Sequence, residues 1–138
     1  MLKSAAGTFE VVGWDEKTYQ ELGPGAKLSE AKVTQKFTGD ITGDGSVIWL
    51  MCYVNEKSAR FVGMQRVAGK IGDKKGSFVM ETEGDFDGTF AKGDWSIVPG
   101  SGTNGFSGIA GQGHFEAPHG PKATYNIDYA FAESFIER

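Results

Sequence analysis

The 138 residues form one domain, 1–138, long enough to bury roughly two-thirds of the unfolded surface without disulfides or a structural metal. A formal net charge of −4, with basic residues scattered except for Lys70, Lys74 and Lys75 near one turn, argues against a nucleic-acid partner. No window reaches the length of a membrane span and Met1 to Thr8 holds no signal-like apolar run, so no membrane partner and a cytoplasmic location are expected.

Along the chain, apolar and polar residues alternate in segment after segment, the period of half-buried strands. Thr8 to Trp14 opens the series. Asp15 to Leu22 reads as a short helix, with the tail Glu133 to Arg138 as the other candidate. Ala31, Val33, Gln35, Phe37, Gly39 and Ile41 share one face of the next strand. Gly43-Asp44-Gly45 marks a turn, and Ser46 to Val54 is apolar on both faces, which requires cover from another subunit or a terminal segment. Cys52 lies in that run, has no second cysteine to pair with, and is expected as a buried small apolar residue. Asn55 to Ser58 turns the chain into a strand with Phe61, Gly63, Gln65, Val67 and Gly69 on one face. Gly72 to Lys75 turns it again, into Phe78, Met80, Thr82, Gly84 and Phe86. Asp87-Gly88 leads to Ala91, Gly93, Trp95 and Ile97. A loop at Pro99 to Gly105 precedes Ile109, Gly111, Gly113 and Phe115, and a turn at Pro118 to Pro121 precedes Tyr125, Ile127, Tyr129 and Phe131.

The total is about eight strands spaced as a meander, each pairing with the next, in an all-β chain with 21 glycines. Glycines on the apolar faces (Gly39, Gly63, Gly69, Gly84, Gly93, Gly111 and Gly113) favour a single antiparallel eight-stranded barrel over a sandwich, because strands must coil tightly around a narrow interior.

Several motifs resemble chemistry without its context. Gly100 to Gly105 fits a dinucleotide fingerprint, but a strand follows it where a helix is needed. Asp40 to Gly45 starts like a calcium loop, yet Met51 stands where the bidentate carboxylate belongs. His114, Glu116 and His119 have metal-ligand side chains, but His119 lies between two prolines and no fourth ligand is evident. The neighbouring carboxylates Glu81 and Glu83, and Asp85 and Asp87, read as a solvated sheet face. No catalytic residue, metal site or cofactor is therefore expected. What remains is the interior. Trp49, Tyr53, Phe61, Phe78 and Trp95 supply apolar walls, with Gln35, Gln65 and Thr82 as polar anchors, for a small apolar or aromatic ligand. The alternative is that these aromatics fill the barrel, which would make the protein a homo-oligomeric scaffold associating through the two-sided apolar strand Val47 to Val54.

Several stretches together resemble a bacterial family known only as a domain of unknown function, placed with allene oxide cyclase-like barrels. They are Thr8-Phe9-Glu10-Val11 with Trp14-Asp15-Glu16, Phe37 to Ile41, Phe61 to Met64, Gly76 to Val79, Ala91 to Trp95, Val98 to Thr103 and Tyr125 to Tyr129. The resemblance implies the barrel independently of the alternation, and brings no established reaction. It also implies self-association, as a dimer or trimer. Members of that family often carry an acid at the position of Gln65 and a histidine at that of Thr82. This chain has neutral groups at both, which weakens an enzymatic reading. A cofactor-free isomerase or cyclase, which works by holding a flexible substrate in one conformation, stays open as the alternative function.

Overall fold

The computed structural model describes residues 2–119 and 122–132. Eight strands follow in order: β1 (Lys3–Gly23), β2 (Ala26–Gly39), β3 (Ile41–Tyr53), β4 (Ala59–Ile71), β5 (Lys74–Phe86), β6 (Ala91–Ile97), β7 (Ile109–His119) and β8 (Lys122–Phe131). Each pairs antiparallel with the next, and β1 pairs with β8 to close the barrel. The alternation thus finds the eight strands and their meander order, with local differences in β1 and β3.

Three local readings change. Asp15 to Leu22 is the second half of β1 and not a helix: Trp14 pairs with Val33 and the ladder runs on to Gly23 opposite Ala26, with two further register shifts. Cross-strand hydrogen bonds serve this segment where a helix of so few residues would be marginal in water. The turn expected at Gly43-Asp44-Gly45 lies instead at Gly39 and Asp40, where Gly39 adopts a φ of +100°. Gly43 is needed inside β3 because a Cβ there would come within 2.6 Å of the Gly69 Cα. Lastly, Cys52 is half-buried on the outer face between Leu28 and Arg60, so it is not a core residue. The tail helix candidate lies outside the described residues, as do Gly120 and Pro121 of the last turn.

The two ends of the barrel differ. At one, the β6–β7 connection folds back as a plug, and its 3-10 turn Asn104–Phe106 seats Phe106 edge-on against Phe78 at 5.3 Å. Thr103 Oγ1 and Ser101 Oγ accept the N–H groups of Ser77 and Val79, each at 3.0 Å, which ties the plug to β5. Beside it, the Tyr125 hydroxyl donates to the Thr38 carbonyl and accepts from the Ile41 N–H, both at 3.0 Å, across the β2–β3 turn. Burial is the main cause that pushes the Tyr125 phenol up. At the other end, β1 leaves β8 after Glu10 but stays paired with β2, so the β1–β2 hairpin stands beyond the rim.

Between the ends lies an aromatic layer. Phe9, Phe37, Trp95, Phe115 and Tyr125 are buried with neighbouring ring centroids 5.2–6.2 Å apart.

Candidate functional site

The end opposite the plug holds a cavity of about 540 Å³. Its shape follows from which residue types fall on the inward positions there. β1, β3, β4 and β7 contribute Phe9, Trp49, Phe61 and Phe115 as the floor, whereas the facing positions on β6, β7 and β8 are Ala91, Ala117 and Ala123. Large rings on one side and alanines on the other leave unfilled space. Trp14, Tyr53 and Phe86 complete the rim. Trp14 reaches it from the projecting hairpin, with its ring centroid 5.8 Å from that of Trp49.

Polar groups are few and placed. The Trp49 indole N–H is buried and has no partner among the described residues. Glu16, paired with Ala31 in the ladder, lies on the inward side of the hairpin, accepting the Trp14 Nε1–H at 3.2 Å and the Ser29 hydroxyl. Burial, followed by the hydrogen bond and charge of Glu16, pushes the Tyr53 phenol up to about 12. The Lys27 Nζ lies 5.0 Å from the Tyr53 ring centroid.

The structure divides the predicted lumen into three parts. Trp49, Tyr53 and Phe61 line the cavity. Gln35, Gln65, Thr82 and Trp95 are buried but do not line it. Gln65 Nε2 donates to Gln35 Oε1 at 2.6 Å, while Gln35 Nε2, Gln65 Oε1, Thr82 Oγ1 and Trp95 Nε1 have no partner among the described residues. Phe78 packs at the plugged end. Sequence reasoning missed Phe9, Trp14, Glu16, Phe86 and Phe115. The alternation already put Phe86 and Phe115 on inward faces; Trp14 ended the first strand expected from the sequence, and Glu16 was hidden by the helix assignment that began at Asp15, since only in a continuing strand do the two share a side.

The match to a family model decides the relationship: the DUF3224 model, described as a protein of unknown function, matches residues 5–129. The chain belongs to the DUF3224 family. Its fold is similar to that of a DUF3224 protein of unknown function from Shewanella oneidensis MR-1, solved by crystallography, with a TM-score of 0.79 and 21% sequence identity. That likeness covers 96% of this chain and 100% of the other. No curated protein matches the chain.

Outside the cavity, the charged residues of this DUF3224 barrel behave as a solvated face. Arg60 Nη1 pairs with Asp85 at 3.1 Å and Nη2 with Glu83 at 3.5 Å. Asp87 accepts the Thr89 and Phe90 N–H groups, which lowers its carboxyl below the usual range. His114 lies between Asp94 on Nδ1 and Glu116 on Nε2, each at 2.9 Å, and Asp94 followed by Glu116 raises its pKa above the ordinary 6.5. With the two carboxylates on opposite ring nitrogens, these side chains do not converge on one point, and the described residues contain no group of three metal-ligating side chains arranged to hold a metal ion. No described helix is long and apolar enough to cross a membrane.

Proposed function

We propose that this DUF3224 barrel is a small-molecule-binding protein whose site is the aromatic cavity at its open end. The observation that carries this reading is the buried Trp49 Nε1–H, without a partner among the described residues, in the wall of a cavity lined mainly by rings and aliphatic groups, with Thr89 and the Tyr53 hydroxyl among the few polar ones. Apolar walls with one or two placed donors are the usual make-up of a ligand site, and the volume is in the usual range. A leucine at Ala117 would occupy the open side of the cavity. Native mass spectrometry of gently purified protein is expected to show retained small-molecule mass on the wild type and none on Ala117→Leu. A bare wild-type species that also fails to quench or shift tryptophan fluorescence with any member of an aromatic fragment set would overturn the reading.

Binding is favoured over catalysis. Tyr53, the only ionisable side chain lining the cavity among the described residues, has a phenol pushed up to about 12 and moves no proton near neutral pH. If the barrel is of the allene oxide cyclase-like kind, its chemistry would be conformational holding of a reactive substrate. A cytoplasmic, bacterial setting goes with the reading.

A second reading concerns the outer wall. Ile48, Leu50, Val62 and Met64 are 46%, 46%, 45% and 55% exposed and form two cross-strand pairs on β3 and β4. Lys32 flanks Ile48 on β2 and Glu81 flanks Met64 on β5, giving one row across four strands. A two-fold axis along the strands sets Lys32 of one copy opposite Glu81 of the other, with the four apolar side chains self-complementary between them. The next row sets Glu30 opposite Glu83, whose charge Arg60 offsets at 3.5 Å. We propose a homodimer through this face. Sedimentation at micromolar concentration is expected to give a dimer that Leu50→Lys converts to a monomer; a monomeric wild type would refute it.

A further inference from the structure

We propose that the ligand of the open-end cavity is an organic cation, an ammonium or quaternary ammonium group carried on an aromatic or apolar body. This inference rests on the reading of the cavity as a ligand site and names the chemistry that the site selects.

The walls present aromatic rings from several directions. Trp14, Tyr53 and Phe86 stand at the rim, and Trp49, Phe61 and Phe115 lie at the floor. Ring faces carry negative quadrupole density, so a cation placed among several of them is attracted to each, and more strongly where water is excluded. None of the cavity's described lining residues carries a positive charge. The carboxylate beside it is Glu16, fixed on the inward side of the hairpin by the Trp14 indole N–H and the Ser29 hydroxyl. Trp14 both lines the cavity and holds Glu16, so the acid and the aromatic wall are tied into one unit.

Two observations support the sign of the charge. The rim already holds an ammonium against a ring: Lys27 Nζ lies 5.0 Å from the Tyr53 centroid. The Tyr53 phenol is pushed up to about 12 by burial and by Glu16, so a negative charge is disfavoured at that place. A carboxylate or phosphate ligand would meet the same burial and the same acid, with only the Lys27 ammonium at the rim, and no cation among the described lining residues, to offset them. A neutral apolar ligand would gain the walls but make no use of Glu16.

The test uses two molecules of nearly the same shape that differ in charge, phenyltrimethylammonium and tert-butylbenzene. Each is titrated into the full chain while the indole N–H signals of Trp14 and Trp49 are followed by NMR. Phenyltrimethylammonium is expected to bind about 10-fold more tightly and to shift both signals. Glu16→Gln is expected to weaken the cation about 3- to 10-fold and leave tert-butylbenzene unchanged. Phe86→Leu, which keeps an apolar wall but removes a ring, is expected to do the same to a smaller degree. Equal or tighter binding of the neutral compound overturns the cation proposal and leaves the cavity standing as a ligand site. Binding of neither compound, with both indole signals unmoved, overturns both.

Discussion

Trp95→Ala is expected to cost the domain about 3–5 kcal/mol, the range for truncating a large buried aromatic. Trp95 is 2% exposed and lies within 5.3–6.2 Å, centroid to centroid, of Phe9, Phe37, Phe115 and Tyr125. Those four rings come from β1, β2, β7 and β8, so one side chain on β6 joins distant parts of the wall. Small domains are stable by on the order of 5–15 kcal/mol in total, so the loss removes much of the margin. Urea unfolding followed by far-UV circular dichroism reads it as a fall in midpoint at unchanged slope. Trp95→Phe is expected to cost well under half as much, because the indole N–H it deletes has no partner among the described residues. A loss below about 1.5 kcal/mol for Trp95→Ala would mean that the central layer is loosely packed and that the aromatic floor of the cavity is not rigid.

The legibility of this fold in its sequence follows from where water lies. Strands of the closed wall have one wet face and one dry face, so β2 and β4 to β8 write their positions as a period of two. The outer half of β1 stands beyond the rim, and Asp15, Lys17, Thr18, Tyr19, Gln20, Glu21 and Leu22 are all exposed there. With both faces in water it has no alternation to write, and only pairing with β2 makes it a strand. β3 differs in the opposite way. It is apolar on both faces, and within one chain Ile48 and Leu50 leave its outer face half exposed, which is why the sequence calls for cover from outside the strand.

The site was half legible for a related reason. Alternation tells which side chains point inward but not which of them share a level along the axis, since strand tilt and register set that. Trp49, Phe78 and Trp95 therefore read as one lumen, although they lie at the cavity, at the plug and in the layer between. The plug itself rests on Phe106, a loop residue with no strand pattern around it, buried by contact with Phe78. The pairing of Trp14 with Glu16 became visible once β1 was seen to continue as a strand.

Gln65→Glu should make the stability of the domain strongly dependent on pH. Gln65 is fully buried, its hydrogen-bond partner is the neutral Gln35, and no cation pairs with it among the described residues. A carboxyl placed there has its ionised form disfavoured by desolvation, so its folded pKa lies above the unfolded value of about 4.3. With the folded pKa raised, the folded state holds the proton more tightly. Stability is then retained below about pH 4.3 and lost as pH rises towards the folded pKa. At about 1.36 kcal/mol per pH unit, a folded pKa at or above 7 costs about 3–4 kcal/mol at pH 7. The urea midpoint of the variant is expected to approach wild type at pH 4 and to fall far below it at pH 7.

Thr82 provides the second half of the experiment. Gln65 pairs with Met80 and Gly63 with Thr82, so residues 65 and 82 are diagonal neighbours on the inner face. Adding Thr82→His to Gln65→Glu offers the buried carboxylate an imidazolium and is expected to restore part of the loss at pH 7. Restored stability would mean that the inner face at positions 65 and 82 accommodates a charged pair. If Gln65→Glu instead shows the same stability at pH 4 and pH 7, the carboxylate reaches water. The unpartnered atoms of Gln35, Gln65, Thr82 and Trp95 would then share ordered solvent, and the barrel centre would be wet beneath its aromatic floor.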